Sequence, residues 1–353
     1  MFRIDTPSRA VNLFGAGKDG YTNGDPRVAI PATQTSDAHL NAFQEEICRV
    51  LEGFGVVLDK TNNSQLLGVF RSLPLAVANW FLRTTLTGGL GFHAVAASDV
   101  LWVACGLSGA VYHSADAVNW TTASSGTESL NAVGWNGTQW VVVGGNGVVY
   151  SSPDGLTWTQ RAIALVATTL RGVAWSGVLW VAVGDTGTII TSPDGITWTN
   201  RTLGSGETFR AVAYGAGSFV VVGDAIIRSS PDGITWTTRV VTGGSSPSLY
   251  GIAFDGRSWV AVGGSGVVVS SPDGFTWTLR STPSSLALSA IAFDAHGVWL
   301  ASGSSGVLLS SYDSVTWTPR VSTQSLALAG VRFAQGVWVV VGDQGLVLNS
   351  LRS

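Results

Sequence analysis

Tryptophans in one repeated context recur along most of this chain, and their spacing limits the fold more than any other feature. Aligned on the tripeptide T-W-T and its variants, they fall at Trp80, Trp120, Trp158, Trp198, Trp236, Trp277 and Trp317, separated by 40, 38, 40, 38, 41 and 40 residues. Within one unit, residues 171–175 read as an inner strand, 179–183 as a second, 188–191 as a third and 197–201 as an outer strand. Four short strands repeated at a period near forty describe a β-propeller blade, a small sheet buried on both faces by its neighbours. Composition agrees: 45 glycines and 15 tryptophans accompany only 12% charged residues, which suits buried strands joined by tight turns.

The turns carry their own signature. Gly184-Asp185-Thr186-Gly187 separates the second and third strands, and Ser192-Pro193-Asp194-Gly195 separates the third from the outer strand. In the latter, proline presets φ, aspartate accepts backbone N–H groups across the bend and glycine takes the left-handed position. Two copies have drifted, with Ala117 and Ser314 in place of the glycine. The last unit ends after a third strand at 346–349 and lacks an outer one, while residues 79–83 form a stray outer strand that matches 276–280. Pairing the two protects an open edge and closes the ring. The expected fold is therefore all-β: a seven-bladed propeller over residues 76–353, closed by an N-terminal outer strand. The repeated tryptophans read as wedges between blades, each burying about 150–250 Å² and costing roughly 3–5 kcal/mol on truncation to alanine.

Residues 1–75 do not share the repeat. They read as an extended arm followed by two helices, the first starting near Ser36 or Asp37 and the second ending before Pro74. Leu40, Phe43, Ile47, Val50 and Phe54 are spaced 3, 4, 3, 4, which fits either a coiled-coil seam or an amphipathic helix folding onto its own chain. The run Val11-Asn12-Leu13-Phe14-Gly15-Ala16-Gly17-Lys18-Asp19-Gly20-Tyr21, followed by Leu40-Asn41-Ala42-Phe43-Gln44-Glu45-Glu46-Ile47, resembles the N-terminal attachment domain of tailed-phage and prophage tail fibres. That resemblance implies a homotrimer with the 3-4 seam as its contact. It also implies a virion location at the distal tail, with baseplate proteins as partners and a bacterial surface receptor at the other end. The S-P-D-G-x-T-W turn is similar to the Asp-box of sialidase-type propellers, one residue shorter; in those proteins the box is structural, so the likeness points to the propeller and not to glycoside cleavage.

Residues 76–353 carry twelve arginines against fourteen acidic residues, so there is no basic stripe for nucleic acid. The start of the chain does not read as a secretory signal, and no apolar run is long enough for a spanning helix. His39, His93, His113 and His296 lack metal-ligand spacing, and neither a metal nor a cofactor is expected. Glycoside cleavage needs a carboxylate pair, and Glu128 and Glu207 are the propeller's two glutamates, each in a loop between blades. Recognition by loops is expected instead of catalysis. At the residue opening each inner strand the blades read His93, Asn131, Arg171, Arg210, Tyr250, Ser289 and Ala329. Asn131, Arg171, Arg210 and Tyr250 form a polar arc able to hydrogen-bond a receptor, or simply to face solvent. The leading expectation is a non-enzymatic tail-fibre receptor-binding protein; a tail glycan hydrolase or lyase, and a structural virion spacer, are the alternatives.

Overall fold

The second strand of each blade ends in glycine after a mostly apolar run, and in strands such as Trp140–Gly144 and Trp180–Gly184 every residue is apolar and buried. A strand with that pattern must lie inside a sheet covered on both faces, and the computed structural model places it there in each repeat. The structure describes residues 80–85, 91–161, 167–242, 246–294 and 297–350, together with Glu45, Glu46, Cys48 and Arg49, which are helical. The chain divides into two units, Met1–Val77 and Ala78–Ser353. The expected arm, both helix boundaries and the proposed trimer seam of Leu40, Phe43, Ile47, Val50 and Phe54 lie outside the described residues.

The second unit is a seven-bladed β-propeller. In the third blade the strands are Leu170–Trp175, Trp180–Gly184, Ile189–Ser192 and Thr199–Asn200, paired antiparallel in that order from the channel outward. The other blades repeat this order. The seventh is assembled from both ends of the unit: Leu328–Ala334, Val337–Gly342 and Leu346–Ser350 are completed by Phe81–Thr85. Phe81 faces Asn349 and Thr85 faces Leu346, with a bulge between Leu82 and Thr84. The closing strand thus starts two residues later than the sequence pattern placed it, leaving Trp80 just ahead of it.

The core consists of interfaces between blades. Trp158 packs with Val103, Cys105 and Val111 of the blade before it, Trp198 with Val141, Val143 and Val149, and Trp277 with Val220, Val222 and Ile227. These are the wedges expected from the repeat. Burial in this apolar layer pushes the Cys105 thiol well above its ordinary pKa, so it stays protonated. One joint is made differently. Residues 240–242 extend the outer strand of the fourth blade to Thr237–Thr242 and pair parallel with Thr276–Arg280 of the fifth, fusing two blades into one eight-stranded sheet.

Candidate functional site

The residues opening the inner strands share an unusual backbone feature. In every blade the register between inner and second strands slips at that residue: between Leu130 and Ala132, Leu170 and Gly172, Phe209 and Ala211, Leu249 and Gly251, and likewise around His93, Ser289 and Ala329. A β-bulge leaves one residue unpaired and re-aims its side chain. Here seven bulges point seven variable side chains around one end of the channel. The glycine ending each second strand makes this possible. Gly184 is extended, with φ −166°, so it needs space more than conformational freedom: a Cβ there would run into the Thr169 carbonyl oxygen. That carbonyl accepts the Asp185 N–H at 3.0 Å, and the equivalent bond recurs around the ring, for example from Asp224 to Thr208 and from Asp343 to Ala327.

The bulged residues and their neighbours line a funnel of about 180 Å³ that includes His93, Arg171, Arg210, Tyr250, Ser289 and Ala329. Three of the four residues expected to form the polar arc therefore meet at one mouth. The fourth does not line it: the Asn131 amide donates to the Leu170 carbonyl at 2.8 Å, tying its blade to the next, and His93 contacts the Leu130 carbonyl in the same way at 3.0 Å.

The two arginines are held rigidly. Arg171 donates through Nε and Nη2 to both carboxylate oxygens of Asp185, at 2.5 and 3.0 Å, and Arg210 does the same with Asp224, at 2.7 and 3.0 Å. Such fork-to-fork pairs fix geometry as well as charge. The bond to Asp224 holds the Arg210 guanidinium above its ordinary pKa. Arg210 also lies over the Tyr250 ring, 5.0 Å from its centroid. Each arginine keeps donors on its outer edge, yet each charge is matched by its own aspartate. The mouth therefore offers oriented hydrogen-bond donors and an aromatic face, with little net field. The sequence pattern placed Asp185 only in a turn; the repeat of Gly-Asp after the second strand, fourteen residues beyond each arginine, was the available signal for these pairs.

The glutamates of the inter-blade loops are engaged too. Glu207 accepts from Arg228 at 2.8 Å and from the Ser205 hydroxyl at 2.9 Å, while Glu128 accepts from the Asn146 amide at 2.9 Å.

Below the mouth, six β-branched residues, Val95, Val173, Val212, Ile252, Ile291 and Val331, line both the funnel and a second chamber of about 500 Å³. Trp135, Tyr214, Phe254, Phe293 and Phe333 stand around this lower chamber, and among the described residues Arg332 is the one charged residue of its lining. The sequence reading gave Arg332 no role, because a single odd residue in an otherwise small-residue position stands out only once the blades are superposed in register.

Fold and channel define the class: a seven-bladed β-propeller with a variable mouth. Solved structures of similar fold include YCF48 from Cyanidioschyzon merolae, at 16% identity and a TM-score of 0.63 over 77% of this chain and 98% of that one. Virginiamycin B lyase from Staphylococcus aureus aligns at 10% identity and a TM-score of 0.68 over 77% and 98% of the two chains. The WD40 β-propeller domain of Doa1 aligns at 13% identity and a TM-score of 0.65 over 78% and 97%. Identities this low speak for the fold alone. No family model matches the chain. At the level of a particular protein, the chain is similar to the uncharacterized protein StfP of Escherichia coli strain K12, 43% identical over 81 residues, which are 23% of this chain and 39% of that protein. The chain thus matches well under half the length of this relative.

Proposed function

We propose that the protein is a non-enzymatic tail-fibre receptor-binding protein of a tailed phage or prophage. In this reading it is a homotrimer at the distal tail, attached to baseplate proteins through residues 1–75, and it binds a bacterial surface polysaccharide or protein with the propeller mouth. The carrying observation is the ring of bulges: a scaffold that repeats tryptophans, turns and glycines blade after blade presents six residue types at its seven bulged positions, where recognition belongs. The N-terminal run resembling tail-fibre attachment domains supports the virion setting. Binding is favoured over turnover because Glu207 is paired with Arg228 and Glu128 with Asn146, which leaves neither poised as a free acid or base.

The test is adsorption. Purified full-length protein should bind whole cells of some strains in a bacterial panel, and the double variant Arg171→Ala/Arg210→Ala should bind those cells about tenfold or more weakly, the scale expected for lost charged hydrogen bonds. Release of reducing ends from the bound cells' polysaccharide, abolished by Glu128→Gln or Glu207→Gln, would replace the proposal with an enzyme. Absence of binding to any strain would favour a virion spacer.

A further inference from the structure

Arg332 is the fifth residue of the inner strand Leu328–Ala334 and lies opposite Val339. The residues in the same register of the other blades are Ala96, Gly134, Ala174, Ala213, Ala253 and Ala292. Six blades thus keep this position small, and the seventh sends a guanidinium into the space they leave. The side chain is reachable by solvent, yet protein surrounds it closely enough that burial lowers its pKa from the ordinary arginine value. That combination describes a cation standing inside a lumen.

Among the described residues the lumen offers it no partner: its lining holds no aspartate or glutamate, and no ion pair or hydrogen bond engages the Arg332 side chain. This contrasts with Arg171, Arg210 and Arg228, each paired with a carboxylate. Standing in the lumen without a counter-charge, the guanidinium is open to an anion entering the chamber, to which it presents a planar fork suited to two oxygens. The aromatic side chains around it supply flat apolar faces. A volume of about 500 Å³ falls within the roughly 300–1,000 Å³ of small-molecule sites.

We infer that the lower chamber is a binding site for a small organic carboxylate carrying a ring, of which a hexuronic acid is the representative, with Arg332 holding the carboxylate and the aromatic side chains meeting the ring. The site lies away from the mouth arc and does not depend on the receptor-binding reading.

Calorimetric titration of the full-length protein with sodium glucuronate, and with glucose as the uncharged control, tests it. Arg332→Ala gives the seventh blade the residue already present at Ala96, Ala174, Ala213, Ala253 and Ala292, so it keeps the fold, which circular dichroism checks. Glucuronate should bind the wild type with a saturable heat and bind Arg332→Ala about tenfold or more weakly, as expected for loss of a charged hydrogen-bonding pair; glucose should give no signal. Arg171→Ala/Arg210→Ala should retain glucuronate binding. Absence of glucuronate binding to the wild type, equal affinity in Arg332→Ala, or loss of binding in the mouth variant would each overturn the inference.

Discussion

Thr186 shows how closely single residues are tuned in this ring. It sits in the left-handed region at φ 56° and ψ 33°, a conformation that crowds the Cβ of an L-residue and suits a β-branched one least. The preceding blade places Asn146 there at φ 51°, a residue that tolerates the region. Thr186→Asn should therefore stabilise the fold by roughly 0.5–1 kcal/mol, read as a higher urea midpoint at unchanged slope; an unchanged or lower midpoint would show that the Thr186 hydroxyl bond to the Asp185 carbonyl outweighs the strain. Two positions earlier, Gly184→Ala should cost about 1–3 kcal/mol, because the Thr169 carbonyl oxygen occupies the space its Cβ needs. The turn itself was legible in the string Gly184-Asp185-Thr186-Gly187. The reason for Gly184 was not: it depends on a bulge in a different strand, and no local pattern reports a register slip.

The most regular element is the turn between third and outer strands, whose chemistry the sequence displayed openly. Asp232 Oδ1 accepts the N–H groups of Ile234 and Thr235, and Ser230 Oγ donates to the same oxygen. The amides of Thr235 and Ile234 hold the Asp232 carboxyl down at about 2, and those of Asn119 and Val118, of Thr157 and Leu156, and of Thr276 and Phe275 lower Asp116, Asp154 and Asp273 likewise. An unfolded aspartate titrates near about 3.9. The folded values lie below that, so these turns contribute their full stability above the unfolded pKa and lose it as the pH falls toward 2. The thermal midpoint should hold from pH 7 to about 5 and then drop steadily with several protons taken up, as followed by calorimetry. Asp232→Asn keeps an oxygen for both amides but removes the charge they favour, so it should lower the midpoint at pH 7 and make the acid limb shallower; an acid limb insensitive to this change would rule out the turn as its origin. The drifted copies keep the bend, with Ala117 and Ser314 accepting φ of 60° and 61°. What the turn signature could not reveal was the parallel pairing of Thr237–Thr242 with Thr276–Arg280, since an outer edge recruits its partner from another blade.

At the scale of the molecule, stability rests on the ring being closed, and closure is concentrated on Asn349. Its side chain is wholly buried; the amide donates to the Ala117 carbonyl of the first blade at 3.1 Å, while its oxygen accepts from Arg83 Nε of the closing strand at 2.6 Å. Elsewhere the matching arginines, Arg161, Arg239, Arg280 and Arg320, bond to a serine of their own blade. The sequence foretold closure through the unpaired strand and the position of Arg83, but the one substitution of Asn349 for serine that joins last blade to first became visible only with the ends side by side. Asn349→Ala should cost about 1–3 kcal/mol by leaving buried polar partners unmet, and Asn349→Ser should recover the part carried by Arg83. A stronger test compares chains beginning at residue 78 and at residue 91. Both lack the first unit, but only the second loses Phe81–Thr85 and bares the edge of Leu346–Ser350. The shorter chain should melt at lower temperature, lose cooperativity and self-associate on size-exclusion chromatography, because an exposed edge strand templates pairing with another copy. If both chains melt alike and elute alike, the ring is held by its blade-to-blade wedges alone and the closing strand is dispensable.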